Sequence, residues 1–275
     1  MLIAGFPAGS FAANCYLVAP APGEECLIID PGQGAEPGIT ELLAEYRLRP
    51  VAVLATHGHI DHVWSVAPVC GAHGIPAYIH PADRDLLSDP AKGFPLQVGQ
   101  QLFRGLTFTE PDDVIALDDG MTLRLAGVDL VVDHAPGHTP GSVTFRTAAA
   151  DATQSRGPLG HRGVPGPSGV RGCPPGGAVP PRATTAEHVM FSGDLLFAGS
   201  IGRTDLPGGD HAAMLDSLSR VCLTLPDDTR VLPGHGPQTT IGAERAANPF
   251  LAGLPPGPSP RPGQAPATAP RRTGL

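Results

Sequence analysis

The sequence predicts an α/β fold in which two β-sheets lie face to face between outer layers of helices. The predicted elements run from strands to helices, back to strands, and then to a final helix and strand, an order that suits a layered domain. Hydrophobic residues make up 41% of the 275 residues, which is enough for a substantial core. Glycine and proline, 36 and 33 residues, are concentrated in two segments, so the remainder has the size of one compact domain.

Periodicity and turn residues place the elements of the amino-terminal half. Short β-rich runs open the chain, and the third of them ends in Asp30-Pro31-Gly32, a turn signal. Helical spacing of apolar residues and one continuous apolar run then predict a helix and a buried strand. The predicted elements are strands at Met1–Phe6, Asn14–Val18, Cys26–Ile29, Val51–Thr56 and Tyr78–His80, helices at Ile39–Leu48 and His62–Ala72, and a helix that begins near Pro81.

The carboxyl-terminal half is rich in strands, with one amphipathic helix near its end. Alternating and continuous apolar runs predict the strands, and helical spacing predicts the helix. The predicted elements are strands at Met121–Leu125, Val128–His134, Ser142–Arg146, Val189–Ser192 and Arg230–Leu232, and a helix at Asp210–Cys222.

Two segments are predicted to be disordered. Residues 151–186 hold eight Gly and seven Pro with almost no large apolar residue, so burial cannot offset the entropy lost on ordering them. Residues 251–275 have a similar Pro-rich character. We therefore predict one domain at 1–250, interrupted by a disordered insertion at 151–186 and followed by a disordered tail.

Charge and targeting signals limit the function classes. Setting aside the four Arg and one Asp of the insertion and the three Arg of the tail leaves 11 basic and 25 acidic residues, a net charge of −14. Nucleic-acid binding relies on Lys and Arg, so we expect no nucleic-acid partner. The first residues resemble neither a signal peptide nor a membrane span, which predicts a cytoplasmic protein without a membrane partner. The five cysteines form no C-x-x-C pair, and most are expected to be buried.

The motif that carries chemistry is Thr56-His57-Gly58-His59-Ile60-Asp61-His62, which follows a predicted strand. A strand end that holds His57 and His59 two residues apart can aim both imidazoles the same way. Asp61 and His62, at the turn into a helix, can face a second position. Imidazole nitrogens and carboxylate oxygens suit Zn²⁺, iron or manganese, so the motif predicts a transition-metal site.

Further metal ligands are expected downstream, because one metal ion needs three or four. Three segments have a matching context, in which a predicted strand ends in a Gly-containing turn with a His or an Asp. The three residues are His138, Asp194 and His235. The other six histidines, of which His134 lies closest to a motif, are predicted to be structural or solvated.

At these residues the chain resembles the metallo-β-lactamase superfamily, and the match spans residues 1–250 apart from the insertion. The resemblance implies the four-layer αββα fold of that family and two divalent metal ions, with zinc expected and iron or manganese as alternatives. It implies that His57, His59 and His138 bind the first ion, that Asp61, His62 and His235 bind the second, and that Asp194 bridges them.

Two further roles follow from the resemblance, each with an alternative. Asp30 would orient a metal ligand by hydrogen bonding, or it serves only as a turn residue. Arg203, in the loop after Asp194, would hold the thiol-carrier part of a substrate, or it pairs with Asp205 and stabilises the loop.

The predicted ligands include no Cys and the sequence shows no export signal, and in both respects the chain resembles the short glyoxalase II-like group, also called hydroxyacylglutathione hydrolase-like. This resemblance implies a thioester hydrolase that cleaves a small-molecule S-(2-hydroxyacyl)thiol with a hydroxide generated by the metal ions. Asp61 would also help to carry a proton. A persulfide dioxygenase with one Fe(II) remains an alternative, and a lactonase of the same fold is a further one.

Overall fold

The computed structural model describes residues 1–148, 154–155 and 188–258. The predicted disordered insertion at 151–186 lies outside the described residues except for Gln154–Ser155, and the tail lies outside them from residue 259. These domain boundaries therefore stay predictions.

The described helices and strands alternate along the chain as follows. The strands are β1 (Leu2–Ala8), β2 (Ala13–Ala19), β3 (Glu25–Ile29), β4 (Arg49–Leu54), β5 (Ala77–Ile79), β6 (Val114–Ala116), β7 (Thr122–Leu125), β8 (Val128–His134), β9 (Val143–Ala148), β10 (Gln154–Ser155), β11 (His188–Gly193), β12 (Leu196–Phe197), β13 (Ser200–Ile201), β14 (Arg230–Pro233) and β15 (Thr239–Thr240). The α-helices are α1 (Glu36–Tyr46), α2 (Ile60–Val63), α3 (Val66–His73), α4 (Leu96–Leu102), α5 (His211–Ser217) and α6 (Ile241–Ala247).

The first sheet contains seven of the described strands, in the order β10-β1-β2-β3-β4-β5-β6. Strands β1 to β3 are antiparallel neighbours, whereas β3, β4, β5 and β6 are mutually parallel. Parallel neighbours end at the same edge of a sheet, so the loops that follow β3, β4 and β5 meet there.

The second sheet contains six of the described strands, in the order β15-β14-β11-β9-β8-β7. Strand β9 is antiparallel to both β8 and β11, and β11 is parallel to β14. Strands β8, β11 and β14 therefore run in one direction and also end at a common edge. A backbone hydrogen bond from Val143 N–H to Thr56 O, 2.7 Å, joins the two sheets at this end.

The apolar residues of the strands alternate between two cores. On β3, Leu27 and Ile29 pack between the sheets against residues such as Phe145 and Phe191 of the second sheet. Cys26 and Ile28 point the other way, into the core formed with the helices. This period of two is the property of a strand that is buried on both faces.

Helices cover the outer face of each sheet. Ile39 and Leu42 of α1 are buried against the first sheet. Met214 of α5 and Leu218, in a π-helical turn that continues it over Leu218–Cys222, are buried against Met190 of the second sheet. The order helix, sheet, sheet, helix confirms the predicted four-layer αββα fold.

Two predicted helices differ from the structure. The helix predicted at His62–Ala72 is broken into α2 and α3. Pro68 has no N–H to donate to the carbonyl of Trp64, and its ring would clash with that carbonyl in a continuous helix. Ser65 lies at the break, where its N–H donates to Pro31 O at 2.9 Å and its hydroxyl to Gly32 O at 2.7 Å. The helix predicted from Pro81 is a 3-10 helix at Pro81–Leu87.

Several short elements were not predicted: α4, α6, β6, β12, β13 and β15. Helix α4 buries only Gly99 and exposes all three of its large apolar residues, so no amphipathic period marks it. No helix in the described part of the chain has the length and apolar character needed to cross a membrane. The four cysteines within the described residues are buried and unpaired.

Candidate metal centre

The loop that follows β4 carries four of the predicted ligands. His57 and His59 are almost fully buried. His59 has extended backbone geometry and caps α2, which places Asp61 and His62 in the first turn of that helix. The imidazole rings of His57 and His62 lie 4.2 Å apart between centroids, and those of His57 and His59 lie 5.0 Å apart. A strand end followed at once by a helix therefore brings these side chains together.

The other three predicted ligands come from the second sheet. His138 follows β8, Asp194 follows β11 and His235 follows β14, the three strands that end at a common edge. A backbone hydrogen bond from Gly234 N–H to Gly193 O, 2.8 Å, holds the last two loops side by side. The site therefore lies where the carboxyl ends of strands from both sheets meet.

We call His57, His59 and His138 the first triad. Each offers a ring nitrogen, and these nitrogens lie within 4.8 Å of one another. His59 Nδ1 and His138 Nε2 are 2.8 Å apart. All three side chains are buried, at 1 to 5% exposure. The first triad is thus a closed group of three imidazoles.

We call Asp61, His62 and His235 the second triad, and it is more open. His235 Nε2 lies 3.1 Å from Asp61 Oδ2 and 3.2 Å from His62 Nε2. The side chains of Asp61 and His235 are 21% and 30% exposed, whereas His62 is buried. Solvent therefore reaches the site from this side.

Asp194 lies between the two triads. Its Oδ1 is 3.3 Å from His62 Nε2, and its Oδ2 is 3.5 Å from His138 Nε2 and 3.7 Å from His235 Nε2. One carboxylate is therefore within reach of members of both triads. The seven predicted ligands form one cluster of His and Asp residues that can hold metal ions.

Hydrogen bonds to Nδ1 leave the opposite nitrogens of three histidines to face the cluster. His62 Nδ1 donates to Asp30 Oδ2 at 3.0 Å, and His138 Nδ1 donates to Arg203 O at 2.8 Å. Thr56 Oγ1 donates to Asp30 and so accepts from His57 Nδ1 at 3.1 Å. In a neutral imidazole bonded in this way, the lone pair is on Nε2, the form that binds a metal.

Buried polar atoms that lack a hydrogen-bond partner indicate whether the cluster suits a metal ion. Within the described residues, His57 Nε2, His59 Nε2 and Asp194 Oδ1 are buried and meet no partner with hydrogen-bond geometry. Leaving a buried polar atom unsatisfied costs about 1–3 kcal/mol. Bound cations would satisfy His57 Nε2 and Asp194 Oδ1, and nitrogen and carboxylate donors match Zn²⁺, iron or manganese. The residues fit metal binding.

The ionisation of the first triad also suits metal binding. Burial and the neighbouring imidazoles of His62, His138 and His59 hold the pKa of His57 well below its usual range. Burial, together with His138, lowers the pKa of His59 to about 3. Both rings are therefore neutral at pH 7.

The second triad differs from the first, because neighbouring charges outweigh burial in setting the pKa values of its residues. Burial alone would lower the pKa of His62, but the carboxylates of Asp194 and Asp61 outweigh it and raise the pKa well above its usual range. Burial of Asp61 and Asp194 is likewise outweighed, chiefly by His62, so the pKa of each carboxyl is lowered. Without a metal, protonated imidazole therefore balances the carboxylates in this half of the site.

Asp30, predicted to orient a ligand or to serve as a turn residue, lies at the end of β3 in the left-handed backbone region, with φ +50°. Its side chain is 2% exposed. Asp30 Oδ1 accepts from Thr56 N–H at 2.7 Å, and Oδ2 accepts from Thr56 Oγ1 and His62 Nδ1. The structure thus places this carboxyl against a ring of the second triad.

Arg203 reaches the site through its backbone only. Its carbonyl accepts from His138, as described above. Its guanidinium is 60% exposed and donates to Asp205 at 2.6 and 2.8 Å. The guanidinium thus lies in a pair with Asp205, and its role in substrate binding stays a prediction.

The loop of His235 is fastened to β2, which the sequence pattern did not indicate. Asn14 N–H donates to Gly234 O at 2.7 Å, and Asn14 Nδ2 donates to Pro233 O and Gly236 O at 3.0 and 2.9 Å. The hydroxyl of Tyr16 donates to Pro233 O at 2.8 Å. Partners more than 200 residues apart leave no local signal, so spacing alone could not identify them.

The histidines outside the motifs lie outside the cluster where they are described. His134 Nε2 donates to Pro140 O at 2.8 Å, and its ring stacks on that of His80 with centroids 4.2 Å apart. His161 lies outside the described residues.

Comparison with known proteins gives the family of this site. The sequence pattern of the Metallo-beta-lactamase superfamily matches residues 8–153 and 158–235. Hydroxyacylglutathione hydrolase GloC of Haemophilus influenzae is 30% identical over 249 residues, covering 89% of this chain and 95% of GloC.

Two solved structures are also similar. BLEG-1, a B3 metallo-beta-lactamase, is 35% identical with a TM-score of 0.68, covering 91% of this chain and 100% of that protein. TTHA1623, solved in a di-iron-bound form, is 36% identical with a TM-score of 0.62, covering 88% of this chain and 97% of that protein.

Proposed function

The chain belongs to the metallo-β-lactamase superfamily and is a metallo-hydrolase of that superfamily, and from this premise we propose that it hydrolyses a thioester of the S-(2-hydroxyacyl)thiol type. The observation that carries the proposal is Asp194, whose two oxygens reach both the buried first triad and the solvent-accessible second triad. The similarity to a hydroxyacylglutathione hydrolase over 89% of the chain supports the thioester as substrate.

The seven clustered residues would hold two divalent ions, and we propose zinc. His57, His59 and His138 would bind one ion, Asp61, His62 and His235 the other, and Asp194 both. When bound, such ions lower the pKa of water and polarise a carbonyl oxygen. Iron and manganese are the other metals that the donor set accommodates, and a neighbour of this fold has been solved with two iron ions.

The protein's own residues would orient the metal ligands and exclude solvent from one side of the site. Asp30 and the carbonyl of Arg203 hold the His62 and His138 rings so that Nε2 faces the site. The closed first triad keeps solvent from one side, whereas Asp61 and His235 leave the other side open for a substrate. Asp61, whose side chain is 21% exposed, would help to carry a proton between the site and solvent. A thiolate leaves as a stable anion, so no strong general acid is required.

The experiment is a paired assay on purified protein of known metal content. Hydrolysis of an S-(2-hydroxyacyl)glutathione is measured beside oxygen uptake with glutathione persulfide, before and after chelation and after zinc is restored. We expect thioester cleavage that chelation abolishes and zinc restores, with no oxygen uptake. Oxygen uptake without thioester cleavage, in protein that holds one iron, would instead identify a persulfide dioxygenase and overturn the proposal.

A further inference from the structure

Asp83 is a buried carboxyl group that the sequence pattern did not indicate. It lies in the 3-10 helix Pro81–Leu87 that follows β5, and its side chain has no solvent exposure. Burying a carboxylate is costly unless hydrogen bonds or charges compensate for the lost water. The donors around Asp83 therefore show what holds it there.

Three donors meet this carboxyl group, and they come from the two loops of the first triad. Gly58 N–H donates to Oδ2 at 2.8 Å, and Gly58 lies between His57 and His59. Thr139, which follows His138, donates its hydroxyl to Oδ2 at 2.6 Å, and Gly141 N–H donates to Oδ1 at 2.7 Å. One side chain thus ties the loop of His57 and His59 to the loop of His138.

The two loops close tightly on Asp83. A Cβ added at Gly141 would lie 2.6 Å from Asp83 Cγ, and one added at Gly58 would lie 2.8 Å from Asp83 O. Both distances are shorter than van der Waals contact, so neither loop can carry a side chain there. Asp83 therefore packs against both loops, through its side chain at Gly141 and its backbone at Gly58.

The donors to Asp83 are all uncharged, unlike those of another fully buried carboxyl group. Asp133 also has no exposure, but it pairs with the guanidinium of Arg146, with Nη2 2.9 Å from Oδ1, on strands β8 and β9. Among the described residues, the ion pairs found do not include Asp83. Asp83 is thus a buried carboxyl group held by uncharged donors, and those donors belong to the two loops of the first triad.

We propose that Asp83 is the positioning residue of the first triad, setting the distance between its two loops and thereby its affinity for a metal ion. The inference rests on the proposed metal-binding role of His57, His59 and His138. It adds a residue that touches neither metal nor substrate and acts through Gly58, Thr139 and Gly141.

The main test is Asp83→Asn in the full chain, because an amide must turn its NH₂ group toward at least one of the N–H donors. Metal-free protein is titrated with Zn²⁺ alone against a competing chelator. We expect binding of one of the two ions to weaken by about ten- to a hundredfold, the range for residues that orient ligands, with the other ion little changed. The control is Asp133→Asn, the same substitution at equal burial, which should lower Tm without weakening zinc binding.

A second pair of variants keeps the test decisive if Asp83→Asn does not fold. Thr139→Val removes one hydrogen bond to Asp83, whereas Thr139→Ser keeps the hydroxyl. We expect Thr139→Val to weaken zinc binding and Thr139→Ser to bind zinc as tightly as the wild-type protein does. Unchanged zinc affinity in Asp83→Asn, or equal losses in Asp83→Asn and Asp133→Asn, would overturn the inference. A wild-type protein that binds neither zinc nor iron would instead overturn the proposed metal-dependent thioester hydrolysis.

Discussion

The two triads share Asp194 but differ in donor type and in exposure. The first triad consists of three buried imidazoles, two of them with lowered pKa values. The second contains a carboxylate, and Asp61 and His235 are partly exposed. Burial shields the first triad from solvent, whereas the second triad is open to solvent and substrate. We therefore expect the first triad to retain its metal ion longer and the second triad to meet the substrate.

The largest effect should come from Asp194→Ala, which removes a carboxylate shared by both triads. Without it, two cations at short range would repel each other with less compensation. We expect zinc content and thioester hydrolysis to fall together, with kcat/KM reduced by more than about a hundredfold. Metal analysis and steady-state kinetics on the same preparation check this.

His134→Ala is the matched control, because His134 lies four residues from His138 yet bonds to Pro140 rather than to the cluster. It should keep its full zinc content. If Asp194→Ala and His134→Ala lost zinc alike, the separation of metal-binding from structural residues would be wrong.

The next effect distinguishes the two triads directly. His57→Ala removes a ligand of the first triad and should lose zinc from that position. His235→Ala should keep one zinc per chain, because the first triad remains intact. Both variants should lose about a hundredfold or more in kcat/KM. Zinc content per chain, measured before and after dialysis against a chelator, separates them. Equal zinc loss in the two variants would mean that the triads do not differ in retention.

A smaller effect is expected from Arg203→Ala. Its guanidinium pairs with Asp205 in solvent, and exposed pairs contribute little, so we expect at most a roughly threefold loss in kcat/KM. The backbone bond from His138 to the Arg203 carbonyl does not depend on the side chain. Asp205→Ala should reproduce the same loss. An Arg203→Ala defect that is large for a full glutathione thioester and absent for a truncated one would assign the side chain to substrate binding instead.

The smallest effect is a pH dependence at His80. Burial and the stacked ring of His134 lower the pKa of His80 below its ordinary 6.5, so the folded protein binds fewer protons there than the unfolded chain does. Stability from this group is complete above pH 6.5 and declines as the pH falls below it.

His80→Asn removes this titration and keeps an acceptor for Ala82 N–H. We expect the decrease in Tm between pH 7.5 and pH 5.5 to be smaller by about 1 °C, because the ring is partly exposed and its charge is screened by solvent. Parallel thermal scans of both proteins at the two pH values measure it. An identical decrease would show that His80 does not contribute.

Local patterns predicted the strands that carry the site. The strand predicted at Val128–His134 matches β8, and those near Val51–Thr56 and Val189–Ser192 differ from β4 and β11 by one or two residues at each end. Continuous apolar runs and Gly-containing turns are properties of a short stretch of sequence, so they can be found without the fold. The same holds for all seven clustered residues.

Long-range contacts could not be predicted in this way. Asp83 reaches Thr139 across 56 residues, and Asn14 reaches Pro233 across 219. Each looks like an ordinary loop or strand residue until the fold brings its partner close. Exposed α4 was missed for a different reason, because a helix that buries only Gly99 has no apolar face to detect.

The fastening of β2 to the loop of His235 also orders events during synthesis. The ribosome delivers the chain from its amino terminus, so every member of the first triad emerges before His235. Until Pro233–Gly236 emerges, Asn14 and Tyr16 lack the carbonyls to which they donate in the finished protein. The nascent chain therefore contains every residue of the first triad before His235 appears, and the second triad is completed together with contacts that span more than 200 residues.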